Sequence, residues 1–190
     1  MSDQNQYFDL WDDMQIPGRS VLGTPVGGDR WIDPSQFADG EVVEHWVPMT
    51  FEVIHPGSML DYSMAHMGVP VVNQRAADVL ERTCGDQVQL IEVTVSGQIE
   101  PFFIANALRT VECVDEQRSQ SVALWTEEDG QPAKIGRYRS IFGLKIDPIR
   151  VPPELDLFRV ARWTVALIAS DRLKRAMEGA NLIGPKFIPV

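Results

Sequence analysis

Apolar positions in this chain mostly alternate with polar ones, and only twice do they take up the spacing of a helix. The first case follows Pro70-Val71-Val72, which reads as a short strand. Asn73 then makes a good N-cap, because its side chain accepts a hydrogen bond from a first-turn N–H. Residues 74–84 place Ala76, Ala77, Val79, Leu80 and Cys84 on one face, and Gly85 supplies the stop. Residues 87–95 alternate again and predict a strand. The second case opens with Val165-Ala166-Leu167-Ile168 as a strand and Ser170 as N-cap. Leu173, Ala176 and Met177 mark the helix face over 171–180, Gly179 lies near its end, and Lys186–Val190 is a closing strand. Both stretches run strand, cap, helix, glycine, strand, about 97 residues apart. They are either an internal pseudo-repeat or two similar units without that relation.

Elsewhere the pattern is mostly strand. Residues 7–11, 46–54, 102–105, 111–114 and 138–146 read as strands, with Pro48 marking an edge or a bulge. Pro17-Gly18, Gly23, Pro25 and Gly27-Gly28 predict loop over 17–30, and Asp33-Pro34 starts a turn or short helix. Glu127–Pro132 is a solvated turn, and Pro148, Pro152 and Pro153 form a stiff connector. Strands outnumber helices, so the expected class is α+β, a β-rich body with two similar strand–helix–strand units. A length of 190 residues fits a single domain.

Composition narrows the function. Hydrophobic content of 44% and charged content of 23% are globular values. No apolar run approaches the roughly 20 residues that span a bilayer, so no membrane association is expected. Residues 1–6 carry neither a basic cluster nor an apolar stretch, which predicts no secretory signal and a cytoplasmic location. The formal charge of −10 is the wrong sign for a nucleic-acid binder, whose affinity comes largely from Lys and Arg on phosphates. It is also unevenly placed: residues 1–100 hold 16 acidic and 4 basic side chains, against 11 and 13 in the remainder. A basic partner docking on the N-terminal half would account for both sign and asymmetry.

The chain shows no enzyme signature. His45, His55 and His66 lack the three- or four-residue spacing of helical metal ligands, and Cys84 and Cys113 fit no metal or redox motif. Thr24–Asp29 is glycine-rich, yet it lacks the Lys-Ser/Thr of a phosphate loop. Asp12-Asp13 and Glu127-Glu128-Asp129 lack the alternating oxygens of a calcium loop. No catalytic residue, metal or cofactor is therefore expected. Trp11 beside Asp12-Asp13, and Trp31 in its glycine-rich loop, are candidates for the surface, whereas Trp46, Trp125 and Trp163 are expected in the core.

The run Leu157-Phe158-Arg159, then Ile168–Lys174, then Leu182–Val190, resembles the ending of immunity-protein-11-type proteins of bacterial polymorphic toxin systems. Pro70-Val71-Val72, Val79-Leu80 and Asp115-Glu116-Gln117-Arg118-Ser119 resemble the same family, so the likeness covers about residues 59–190. The acidic residues 1–58 follow no quoted family pattern. The resemblance implies a non-enzymatic cytoplasmic protein that binds and neutralises a cognate toxin, many such toxins being nucleases with basic active sites. The other reading is a regulatory or scaffolding module with a non-toxin partner. For a toxin contact the candidate residues are Trp11, Asp12, Asp13, Asp39, Glu41 and Glu44, with Glu127, Glu128 and Asp129 as a second acidic loop. Reversing Asp12 and Asp13 to Lys is expected to weaken binding and leave stability nearly unchanged. A homo-oligomer stays open.

Overall fold

The computed structural model describes residues 6–28 and 30–190, and of Arg30 and Trp31 only the main chain. The expected exposure of Trp31 therefore lies outside the described residues. In chain order the elements are β1 (Tyr7–Asp12), β2 (Val21–Gly27), β3 (Arg30–Trp31), β4 (Thr50–His55), β5 (Tyr62–Ala65) and β6 (Val69–Asn73). Helix α1 (Gln74–Cys84) precedes β7 (Val88–Val95), β8 (Phe102–Ala107), β9 (Thr110–Val111), β10 (Ser121–Leu124) and β11 (Tyr138–Phe142). The chain ends with β12 (Leu157–Val160), β13 (Trp163–Ser170), α2 (Asp171–Gly179) and β14 (Pro185–Pro189). This is the expected β-rich α+β class.

A seven-stranded sheet has the order β3-β2-β4-β7-β8-β6-β5 and curls until β2 meets β5. Leu22, Phe51, Ile91, Val93, Phe102 and Ile104 fill its inner face, and Phe37 adds to that core. A five-stranded sheet has the order β14-β1-β13-β12-β9, and a β10–β11 ribbon stands apart. Helices α1 and α2 pack on each other over a second core that joins the sheets, including Leu10, Leu80, Leu167, Leu173 and Met177. The opposite face of the five-stranded sheet is covered by a third core, with Phe158, Val160 and Ile168 against Cys113, Tyr138 and Ile146. Among the described residues no helix is long and apolar enough to cross a membrane.

The two strand–helix–strand units have one topology. Strands β6 and β7 flank β8 and run antiparallel to it, with α1 between them in the chain. In the same way β13 and β14 flank β1, with α2 between them. The likeness extends to side chains. Asn73 caps α1 through the Ala76 N–H (3.2 Å) and Ser170 caps α2 through the Leu173 N–H (3.1 Å). Each cap also donates to a buried carboxylate, Asn73 to Asp61 and Ser170 to Asp156. Two residues after each cap an arginine, Arg75 or Arg172, pairs with that same aspartate. The units then clasp each other: Asp61 accepts from the Ile183 N–H beyond α2 (2.7 Å), and the Gln87 carboxamide beyond α1 accepts from the Asp156 N–H (2.7 Å).

Two expectations are corrected. Residues 21–27 are strand, not loop; Gly23 and Pro25 sit where the ladder to β4 shifts register, and a bulged edge tolerates both residue types. The strand expected over 46–54 begins only at Thr50. At the other extreme of the fold, β14 is a guarded edge. Val190 N–H donates toward Tyr7, so Ile188 and Lys186 also point inward and Pro185, Phe187 and Pro189 point outward. Only Phe187 of those three has an N–H, which leaves little for a foreign strand to pair with.

Candidate functional site

Two ties and a length mismatch create an exposed segment near the N-terminal acids. The Gln89 carboxamide donates to the Val43 carbonyl (2.9 Å) and accepts from its N–H (3.0 Å), and Asn106 holds the Glu41 carbonyl (2.8 Å). Further along, β4 joins β7 where Thr50 stands opposite Thr94. Seven residue steps from Val43 to Thr50 thus face five from Gln89 to Thr94, and the surplus bows outward. Pro48, without an N–H, keeps the bowed segment from joining the ladder. Glu44, His45, Trp46, Val47 and Pro48 are all exposed, and among the described residues no hydrogen bond engages their main chain.

This arch has a mixed surface. Asp39, Glu41 and Glu44 are exposed along its approach, beside Val42 (56% exposed) and Trp46 (44%). Val47 lies against β2, where a side chain at Gly27 would come within 2.6 Å of it, so Gly27 makes room for the arch. Trp46 belongs to this surface and not to the core. The Glu44-His45 pair interrupting the apolar alternation, with Pro48 just after, is the sequence signal for that.

The other expected contact residues lie elsewhere. Asp12 is buried, paired with the buried Arg19 and accepting from the Met64 N–H (3.1 Å), so its charge serves the interior and is withdrawn from any surface patch. Asp13 is half-buried with Lys186 at 3.6 Å. Glu127 and Glu128 are exposed in a short 3-10 turn. Asp129 caps that turn through the Thr126 N–H (2.8 Å) and pairs with Arg139; the first of these bonds does most to hold its carboxyl below the usual range. Asp13 sits at the β1–β14 side of the five-stranded sheet, whereas Gly40 abuts Thr110 in β9 at the other side. Three strand spacings separate them, about 14 Å. Asp39, Glu41 and Glu44 thus share one segment, whereas Asp12 is not on the surface.

Trp11 (42% exposed) borders a groove of about 550 Å³ with Asp9, Trp163, Val165 and Ile188. Burial pushes the Asp9 carboxyl up to about 6, against the opposing pull of the Trp11 side chain, Arg159 and the Leu167 main chain. Cys84 and Cys113 are free and buried, and burial raises both thiols, which leaves them unreactive as nucleophiles. Among the described residues no three His, Cys, Asp or Glu side chains are placed to hold a metal ion.

The Imm11 immunity protein family model matches residues 5–190. The chain belongs to that family. No curated protein matches it. The Imm11 match takes in the acidic N-terminal residues as well as the part whose pattern resembled the family, in keeping with β1 being paired on both sides within the five-stranded sheet. Immunity proteins neutralise toxins, so an Imm11 chain has a cognate toxin as partner. The arch of this Imm11 protein exposes acids and a tryptophan on one segment.

Proposed function

We propose that this immunity protein works by binding alone, without catalysis, and that its toxin meets the Asp39–Pro48 run with a basic surface such as the substrate cleft of a nuclease. The observation that carries the reading is the anchored run of three exposed carboxylates around exposed Val42 and Trp46. Carboxylates there attract a basic partner from a distance, and Trp46 supplies the apolar contact that holds it. Trp11, Asp13 and the Glu127–Asp129 turn lie on other segments and are secondary contacts in this reading.

The test is neutralisation of the toxin domain encoded beside this chain's gene, together with its affinity at several salt concentrations. Replacing Glu41 and Glu44 by Lys is expected to weaken binding about tenfold at low salt, mainly through slower association. Trp46→Ala is expected to raise the dissociation rate. Unchanged affinity in all three substitutions rejects the arch as the contact surface.

A further inference from the structure

We propose that the arch captures its partner through the main chain, adding Glu44–Pro48 as a strand beside an extended segment of the toxin that carries both basic and apolar residues. This rests on the reading that the arch is the contact surface. Backbone N–H and C=O groups are obligatory hydrogen-bonding groups, and in folded chains nearly all find partners. Among the described residues those of 44–48 have none, and they sit on a segment tied at Val43 and Thr50. Tying the ends removes much of the conformational freedom that strand pairing would otherwise have to remove.

The neighbouring strand strengthens the point. Thr94 and Ser96 donate to Met49 and Phe51 (2.9 Å each), so the even-numbered residues of β7 direct their main chain toward the arch. Leu90 and Glu92 share that direction, and no described residue pairs with them there. The sheet is thus split beside the arch, with free main chain on both sides. The flanking side chains set the partner's composition. Asp39, Glu41, Glu44 and Glu92 are exposed acids that favour Lys or Arg, while Val42, Trp46 and Val47 favour apolar residues. By contrast β14, the outer strand of the other sheet, is guarded by prolines against such pairing.

The probe is an acetylated, amidated heptapeptide alternating lysine and valine, with the glutamate–valine version as control. Binding is followed by amide hydrogen exchange and by titration. Strand pairing uses every second N–H of a strand. His45→Pro and Val47→Pro therefore act alike and Glu44→Pro oppositely, each judged against alanine at the same position. One parity is expected to weaken the lysine peptide about tenfold beyond alanine and the other little. In the parent chain, alternate amides over 44–47 are expected to exchange more slowly with peptide bound. Equal effects of proline and alanine at all three positions, unprotected arch amides, or equal binding of the glutamate peptide overturn the proposal. Toxin neutralisation by the parent chain is scored separately: neutralisation lost with Glu41→Lys/Glu44→Lys yet insensitive to proline overturns main-chain capture and leaves the contact surface standing.

Discussion

The carboxylates at Asp61 and Asp156 and those at Asp39, Glu41 and Glu44 are chemically alike and differ in everything around them. The first two are buried, each fastened to a helix cap and an arginine, and each sits where one unit of the fold grips the other. The other three face water, and among the described residues none of their carboxylates is tied to a helix cap or an arginine. A buried carboxylate stripped of its partners leaves unpaired charge in the interior, whereas an exposed one is screened and costs little to remove. Acidic content therefore divides into charge that holds the chain together and charge free to meet a partner, and net charge alone does not reveal the division.

The sharpest break is Asp12→Lys, which sets two cations together inside the protein. Its cost is expected to exceed the roughly 3–5 kcal/mol of losing one partner from a buried pair, and urea denaturation or loss of soluble expression measures it. Next come Asp61→Ala and Asp156→Ala. Arg75 and Arg172 are more than half exposed and can turn to solvent, so each loss is expected at about 2–4 kcal/mol. Similar values at the two sites support the matched clasps, and a large disparity breaks the analogy.

Asp9 is intermediate. Its folded-state value near 6 lies above the ordinary 3.8, so the folded chain holds more protons between those values. Stability from this group is then fully present at low pH and falls as pH rises from about 4 to about 6. Asp9→Asn removes that slope and is expected to add about 1–2 kcal/mol at pH 7, below the roughly 3 kcal/mol that the full shift corresponds to; melts across pH 3–8 read it. Smallest are Glu41→Lys and Glu44→Lys, which are expected to change stability by less than about 0.5 kcal/mol. A large destabilisation there would erase the contrast with the clasps.

Both helices, their caps and β7 were legible because their signals are local: Asn73 and Ser170 precede an apolar face of helical period, and Gly85 ends the first. The shared order of the two units was legible for the same reason. Their buried aspartates were not, since Asp61 and Asp156 stand twelve and fourteen residues ahead of the caps they bind. Nor was the burial of Asp12, which depends on Arg19 and on the Met64 main chain. The exposure of Trp46 is set by Gln89 and Thr94, more than forty residues away, so a window around it reads as strand. Glycine and proline in β2 disguised a strand as a loop because its ladder is bulged where they fall.

Strand β1 carries a consequence for synthesis. It is made well before its neighbours β13 and β14, which follow more than a hundred residues later in the chain. Ribosomes add roughly 5–20 residues per second, so β1 waits on the order of ten seconds or longer for its partners. During that interval Phe8 and Leu10 have no sheet to enter, while β5, β6, α1, β7 and β8 lie close enough in the chain to assemble on their own schedule. The unit around β8 is thus positioned to form first, and the one around β1 is completed only when its final strand emerges.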